Sequence, residues 1–521
     1  MNIAIIGAGV SGLTTAYYLR KKFPDAVKYP ITVYEKADKL GGNANTFKVN
    51  LPNGAGGFIE RWVDMGVNDF NLGTYKELKE LWQELGIMSK EGDCPQSTYC
   101  SPLINSESFS LPGADGSYNY RYTLEDRAKD NVEAPDGSAA KNDVATLYTD
   151  IESFKRELGY WYRDNEGKEG LNNMTVGEFL RSVNTRFSEQ FINYNLYPRI
   201  NGMYFTMEDS TTASTPPPSE MPLWMVAHYY ILQEAYGQTI PLCKRQYFVN
   251  GSINWLDKLA SRIGTFTFKS NCGTLAFRKQ GSGKNDKIVI AQAGQPDVLY
   301  DKVIFATHAD TTKAMLSDDT FKSDPMVSEL AKFDYAQCNI YVHQDPTFLG
   351  PKKDIRRTYN IHVFDYNEKK RYPYSISYVV NMHQNDPNNP KYRGNPDFYL
   401  TINPYWTQPG VAPANMLQQL NGAGPAFTTM RHCKLNLNAV SGQVNIFNEQ
   451  LGATAPLRSV YFTGSFTIGA GLHMECIKQA RAIVEKIKDI TYVPDHVYDF
   501  TGKRKNFAPQ YVLDAITHTK D

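Results

Sequence analysis

The feature that most constrains the fold is a glycine-rich turn close to the first residue. An apolar run over Asn2 to Ile6 leads into Gly7-Ala8-Gly9-Val10-Ser11-Gly12, and a segment with helical periodicity follows from Leu13 to Lys22. A second β-rich run, 31–34, ends in Glu35. This order of strand, glycine turn, helix, strand and acid predicts a βαβ unit that binds a dinucleotide.

Each glycine of the turn has a physical role in that prediction. Gly7 permits the tight turn, Gly9 lets backbone N–H groups approach a pyrophosphate, and Gly12 lets the helix pack closely on the strand. Glu35 lies 23 residues after Gly12 and can accept hydrogen bonds from an adenosine ribose. The partial positive charge at the helix start favours phosphate. The turn alone does not distinguish FAD from NAD.

Three later segments favour FAD. The pair Gly41-Gly42 follows the acid and can bring its backbone near the flavin side of the pyrophosphate. The buried strand 300–305 runs into a turn of small residues. A further strand, 459–463, ends at Gly464, and the predicted helix after it can direct its N–H groups at the N1/C2=O edge of a flavin. Together they predict an FAD domain assembled from three separated stretches.

These segments resemble the amine-oxidase-like superfamily of FAD-dependent oxidoreductases, which includes monoamine oxidases, phytoene-desaturase-type enzymes and protoporphyrinogen oxidase. The resemblance covers most of the chain. A closer resemblance, to the branch that contains polyunsaturated fatty-acid double-bond isomerases, rests on the motifs Val63-Asp64-Met65-Gly66-Val67-Asn68-Asp69-Phe70-Asn71 with Tyr75, Ala306-Thr307-His308-Ala309-Asp310, Gly471-Leu472-His473-Met474-Glu475, Tyr378-Val379-Val380-Asn381-Met382-His383-Gln384 and Leu400-Thr401-Ile402-Asn403-Pro404. It implies an α/β architecture: a Rossmann-like FAD-binding domain of the GR2/amine-oxidase type, and an α+β substrate domain with a large, mostly antiparallel sheet.

The glycine turn and the resemblance together give a set of expected cofactor-binding residues. They are Gly7, Gly9, Val10, Ser11, Gly12, Glu35, Lys36, Gly41, Gly42, Asn43, Gly66, Val67, Thr274, Ala306, Gly464, Ser465 and Leu472. Two of them depart from the superfamily pattern. Asn43 stands where an arginine usually contacts phosphate, and Ser465 stands where an acid usually binds the ribityl chain.

The resemblance also implies catalytic residues. Asn68 and Asp69 follow a strand and a glycine turn that lie beside the isoalloxazine ring in the family, and His473 lies on the other family segment near the ring. The residues themselves leave a structural alternative open, because Asn and Asp also form turns and a histidine can serve packing alone. No metal-binding motif occurs, so we expect no metal site.

The expected organisation interleaves cofactor and substrate regions. FAD-binding parts are predicted at 1–75, 241–310 and 457–490, a helical substrate lobe at 76–240, a substrate-domain sheet at 311–456 and a C-terminal appendage at 491–521. Helices are predicted over 144–162 and 175–195, and 89–141 is expected to form a small sheet with loops.

Composition excludes several classes of protein. Lys plus Arg and Asp plus Glu are 55 each, so the formal net charge is zero and nucleic acid is not an expected partner. No apolar run reaches about 18 residues, and no signal peptide is visible, so no transmembrane segment is expected. The odd count of 7 scattered cysteines favours free thiols in a reducing compartment, hence a cytoplasmic location. The oligomeric state is not indicated.

A flavin supplies the hydride acceptor for the chemistry that we expect, with a hydrophobic, unsaturated small molecule as substrate. Returning the hydride to another carbon gives isomerisation, and passing the electrons onward gives desaturation or oxidation. Two alternatives remain open: an amine or amino-acid oxidase, and a prenyl carrier resembling Rab-escort and GDP-dissociation-inhibitor proteins. The stripe 221–236 fits either core or a substrate tunnel, and Arg61 is a visible cation for a carboxylate substrate.

Overall fold

The structure is a computed structural model. It describes residues 1–53, 55–89, 98–112, 118–123, 139–165, 174–204, 218–234, 245–281, 286–349, 356–363, 374–404, 426–452 and 455–488. The expected C-terminal appendage, 491–521, lies outside the described residues, as do Cys94 and Cys243.

The described elements are numbered in chain order. The strands are β1 Ile3–Ile6, β2 Ile31–Tyr34, β3 Thr46–Pro52, β4 Phe58–Asp64, β5 Asp69–Asn71, β6 Cys100–Pro102, β7 Glu107–Pro112, β8 Tyr118–Thr123, β9 Arg245–Phe248, β10 Thr267–Lys269, β11 Leu275–Gln280, β12 Lys287–Gln292, β13 Val298–Tyr300, β14 Lys302–Phe305, β15 Tyr335–His343, β16 Tyr359–Val363, β17 Tyr374–Val379, β18 Tyr399–Ile402, β19 Phe427–Cys433 and β20 Val460–Phe462. The helices are α1 Val10–Lys22, α2 Lys76–Glu84, α3 Ala139–Asn165, α4 Val176–Ser182, α5 Glu189–Phe191, α6 Tyr197–Tyr204, α7 Leu223–Glu234, α8 Ser252–Arg262, α9 Ala309–Met315, α10 Pro325–Glu329, α11 Val380–His383, α12 Leu437–Leu451 and α13 His473–Lys486.

A parallel sheet forms the centre of the nucleotide-binding half. Its strand order is β10-β2-β1-β14-β20, so strands distant in the chain lie side by side. The two faces of β1 enter different hydrophobic cores: Ile3 and Ile5 join α1, α8 and α13, while Ala4 and Ile6 join α10 and α12. A parallel sheet covered on both faces accounts for the uninterrupted apolar sequence of β1. The Rossmann-like fold is confirmed.

The second half is organised around a seven-stranded sheet with the order β19-β15-β18-β17-β16-β7-β8. Neighbouring strands of this sheet run antiparallel except β16 and β7, which are parallel. The large, mostly antiparallel sheet is therefore confirmed. The expectation of a separate small sheet within 89–141 is wrong for β7 and β8, because the pairing of β7 with β16 adds them to the large sheet.

The helices on this sheet follow the prediction in part. Thr175 caps α4 together with Glu178, whose backbone N–H donates to the threonine hydroxyl at 3.2 Å. The predicted single helix over 175–195 is wrong, because Val183 is extended and Ser188 caps a new helical segment. Of the described side chains in the stripe, 221–230, most lie in the core, as the core interpretation expects, whereas Tyr229 lines the main cavity.

The cysteines are of two kinds. Cys272, Cys338, Cys433 and Cys476 form no disulfide, whereas Cys100 is disulfide-bonded. The expectation of uniformly free thiols is thus wrong for Cys100. Disulfides persist in oxidising compartments, so the cysteines no longer support a cytoplasmic location. Within the described ranges, none of the helices has both the length and the apolar character that crossing a bilayer requires.

Candidate active site

A cavity of about 620 Å³ lies where the carboxyl ends of β1, β2 and β14 face the large sheet. This is the edge at which parallel α/β sheets bind nucleotides. Its lining contains most of the predicted site residues: Gly7, Gly9, Val10, Ser11, Glu35, Lys36, Gly41, Gly42, Asn43, Gly66, Val67, Asn68, Asp69, Ala306, Ser465, Leu472 and His473.

Three predicted residues lie outside that lining. Gly12 and Gly464 act in packing, since an added Cβ would lie 1.9 Å from the carbonyl oxygen of Gly7 and 2.3 Å from that of Thr307, respectively. Thr274 is exposed, and its neighbours Gly273 and Leu275 line the cavity in its place.

The glycine turn has the geometry that a pyrophosphate site requires. Gly7 adopts a φ of +105°, and an added Cβ there would lie 2.8 Å from the carbonyl oxygen of Ala306. The first backbone bond inside α1 runs from Leu13 N to Gly9 O at 3.0 Å. The N–H groups of Val10 and Ser11 therefore have no partner within the helix and are available to an anion.

The second glycine pair closes over the first. Gly41 bridges to Gly9, and Gly41 N donates to Ala8 O at 3.0 Å. Gly42 has a φ of +59°, and an added Cβ would lie 3.1 Å from Gly9 Cα. Two backbones approach here at a distance that side chains would prevent.

Glu35 is fixed at the end of β2 by two backbone donors. Ala8 N donates to Oε2 at 2.7 Å and Ala37 N donates to Oε1 at 3.0 Å. The carboxylate thus stands beside the glycine turn, where the ribose of a dinucleotide would lie. Asn43 supplies no charge there, and the exposed side chains of Lys36 and Lys39 are the neighbouring cations on the lining.

The start of α13 forms the opposite edge of the cavity. Leu472 N donates to Glu475 Oε2 at 2.9 Å, and the first bond within the helix runs from Cys476 N to Leu472 O. The N–H groups of His473 and Met474 are therefore free of helical partners, as an anionic flavin edge would require. Gly471, with a φ of +71°, allows the chain to pass Ser465.

Asp69 is held as a paired carboxylate. Arg245 Nη2 donates to its Oδ1 at 2.7 Å, and the Tyr359 hydroxyl donates to its Oδ2 at 2.8 Å. Although burial acts in the opposite direction, Arg245 and the nearby His383 hold the pKa of Asp69 well below its usual range. A carboxylate so committed is a poor proton acceptor, so the structure favours a positioning role for it.

His473 lies against the rings of Phe248 and Trp255, with centroid distances of 5.7 and 5.5 Å. Its side chain is 6 % exposed, and neither ring nitrogen has a hydrogen-bond partner in the part of the chain that the structure describes. Burial lowers its pKa to about 4. The cavity therefore meets a neutral imidazole here.

One part of the cavity lining, on the side of the large sheet and the helices α6 and α7, forms what we term the tyrosine wall. It consists of Asn68, Asp69, Tyr75, Glu107, Arg199, Met203, Tyr204, Tyr229, Arg245, Tyr359, Ile361, Ile376 and Tyr378. The acids and bases of this set are paired, because Glu107 Oε1 lies 3.1 Å from Arg199 Nη2, as Asp69 pairs with Arg245. Sequence reasoning missed both arginines, since no motif links them to their distant partners.

Arg61 does not have the role suggested by the sequence, that of a cation for a carboxylate substrate. Its side chain is completely buried and donates to both carboxylate oxygens of Asp386, at 2.5 and 2.9 Å, and to Gln384 Oε1 at 2.7 Å. It therefore stabilises the contact between β4 and the segment after α11, and it is not a cation for a substrate carboxylate.

Comparisons with known proteins agree with this geometry. Residues 5–85 match the model of the NAD(P)-binding Rossmann-like domain. Aplysianin-A from Aplysia kurodai is 23% identical over 37% of this chain and 42% of its own length. Prenylcysteine oxidase 1 from Rattus norvegicus is 40% identical over 17% of this chain and 15% of its own. 15-cis-phytoene desaturase from Synechococcus elongatus is 29% identical over 35% of this chain and 34% of its own length.

The chain thus covers less than half the length of these curated relatives. A solved structure, a triple mutant of putrescine oxidase, superimposes with a TM-score of 0.55 at 13% identity and covers 93% of this chain and 97% of that one. The fold is that of amine-oxidase-type FAD oxidoreductases, and the turn, the acid and the start of α13 fit FAD as the cofactor.

Proposed function

We propose that this chain, with its FAD-oxidoreductase fold, is a flavoenzyme that removes a hydride from a carbon atom of a hydrophobic, unsaturated substrate. Isomerisation of a double bond and desaturation are both compatible with that first step. Bound FAD supplies the hydride acceptor. The chain's own residues hold the cofactor through the glycine turn and Glu35, and they hold the substrate against the tyrosine wall.

The pairing of charge in the tyrosine wall carries the proposal. Five tyrosine rings line it, with Met203, Ile361 and Ile376, and each of its described carboxylates already has a guanidinium partner. An apolar substrate leaves those pairs intact. A cationic amine would need an uncommitted carboxylate, because a buried charge without a partner is strongly unfavourable.

His473 is the residue that we assign to the proton in the desaturation reaction. Desaturation removes a hydride from one carbon and a proton from its neighbour. A neutral imidazole whose nitrogens have no partner among the residues that the structure describes can accept that proton, whereas Asp69 is committed to Arg245 and Tyr359. In isomerisation the hydride returns to a different carbon, so no net redox change results and His473 transfers no proton.

The test is bleaching of the bound flavin without oxygen. Enzyme saturated with FAD is mixed with unsaturated fatty acids, with polyenes and, in parallel, with primary amines, and the products are analysed with oxygen absent and present. We expect bleaching or product formation with the unsaturated compounds alone. Anaerobic turnover without peroxide identifies an isomerase. Bleaching by amines alone, or a protein that stays colourless with added FAD, overturns the proposal.

A further inference from the structure

A second, much smaller cavity adjoins the tyrosine wall. Its volume is about 10 Å³, and Asn68 and Tyr378 line both it and the main cavity. Asp64, His383 and Gln384 also line it. A cavity of this volume holds one water molecule when at least two polar groups can bind the water.

Two of the polar groups on this small cavity have no hydrogen-bond partner in the part of the chain that the structure describes. Asn68 Oδ1 and His383 Nε2 are both buried, and neither has a hydrogen-bond partner within the described ranges. Two other polar side chains on the cavity are satisfied: Asp64 accepts from Ser252 N at 2.9 Å, and Gln384 Nε2 donates to Trp62 O at 2.7 Å. The unsatisfied pair is therefore specific to Asn68 and His383.

His383 cannot satisfy its nitrogen with the nearest acid. Nε2 lies 3.8 Å from Asp69 Oδ2, which is too long for a hydrogen bond. The rings of Tyr247, Tyr359 and Tyr378 lie around the imidazole at centroid distances of 6.2, 5.9 and 6.2 Å. This packing limits rotation of the ring toward a different partner.

We infer that one water molecule occupies the small cavity and bridges His383 Nε2 to Asn68 Oδ1, so that His383 is a positioning residue for the Asn68 amide. The inference rests on the proposed function only in taking the main cavity as the active site. With Oδ1 bound to this water, the NH2 group of Asn68 is directed to the other side of the amide.

The orientation of that amide has a chemical consequence. Asn68 and Tyr378 both line the small cavity and the main cavity. With Oδ1 turned to the water of the small cavity, the NH2 group of Asn68 is available to the main cavity. The group that binds there is a hydrogen-bond acceptor, on the flavin or on the substrate.

The test uses the FAD-loaded full chain and the variants His383→Phe and His383→Gln. His343→Phe is the matched control, because His343 is a buried histidine at the end of β15 that bonds Thr401 Oγ1 at 2.7 Å and does not line the main cavity. We expect His383→Phe to retain FAD and to lower kcat/KM about tenfold, the loss of one hydrogen bond. The Gln variant should recover part of this, and His343→Phe should leave kcat/KM near the wild-type value.

Two further measurements show whether the hydrogen-bond acceptor for the Asn68 amide lies on the flavin or on the substrate. A shift in the substrate-free flavin spectrum or potential of His383→Phe places the acceptor on the cofactor, and a raised KM with an unchanged spectrum places it on the substrate. A crystal structure of the wild-type holoenzyme should show one water within hydrogen-bond distance of both atoms. Absence of that water, or His383→Phe matching wild type in spectrum and KM, overturns the inference. Neither the crystal structure nor the spectrum depends on substrate identity.

Discussion

The two ends of the main cavity are built in different ways. At the nucleotide end the contacts are backbone to backbone, through Gly7, Gly9 and Gly42, and a single fixed carboxylate, Glu35, stands beside them. At the tyrosine wall the contacts are between side chains that different strands and helices supply. One end therefore depends on local chain conformation and the other on the docking of distant elements. Substitutions at the two ends should have different effects.

The largest effect is expected at the tyrosine wall, from removal of the cation in its largely buried ion pair of Arg245 and Asp69, whose side chains are 9% and 12% exposed. Arg245→Met leaves the Asp69 carboxylate buried with one partner fewer, so we expect the free energy of unfolding to fall by about 3 to 5 kcal/mol. Urea unfolding followed by circular dichroism measures this. Arg278→Met is the matched control, because its pair with Asp297 is half-exposed and should contribute at most about 1 kcal/mol. Equal losses in the two variants would contradict the assignment.

A smaller effect on stability is expected from His473, and it depends on pH. Its pKa in the folded chain is about 4, below the ordinary value of 6.5, so the unfolded chain binds the proton more tightly between these values. The contribution of the neutral His473 imidazole to the free energy of unfolding is fully present above about pH 6.5 and is lost as the pH falls toward 4. Wild type should therefore lose about 2 to 3 kcal/mol more than His473→Phe between pH 7 and pH 4.5. Parallel pH profiles of urea unfolding, measured with saturating FAD, would contradict this.

The difference between the nucleotide end and the tyrosine wall also explains which parts of the site the sequence predicts. The glycine turn, Glu35 and the start of α13 are local patterns, in which a few neighbouring residues determine the backbone. The pair of Asp69 and Arg245 joins positions 176 residues apart, and that of Glu107 and Arg199 joins positions 92 apart. Their proximity depends on strand pairing that no local pattern encodes.

The sequence predictions that the structure corrects also concern features that local patterns do not determine. Thr274 belongs to the right segment, but the structure turns its side chain to solvent and brings Gly273 and Leu275 to the cavity, since adjacent residues of an extended chain point to opposite sides. Arg61 carries the charge expected at a tunnel mouth, but Asp386, far along the chain, pairs with it in the core. The predicted helix over 175–195 ends early because Val183 is extended, which helical periodicity alone does not reveal.

The smallest effect is expected at the nucleotide end, from Glu35. Glu35→Ala removes the acceptor for Ala8 N and Ala37 N and the group placed to bind the ribose, at the edge of the fold rather than in its core. We expect FAD affinity to fall about tenfold, the equivalent of about 1.4 kcal/mol, with the apoprotein as stable as wild type to within about 1 kcal/mol. Fluorescence titration with FAD gives the affinity, and Glu35→Gln, which keeps one oxygen acceptor, should lose less. A Glu35→Ala protein that retains wild-type affinity would show that the backbone alone holds the nucleotide, and one that unfolds would remove the distinction between the two ends.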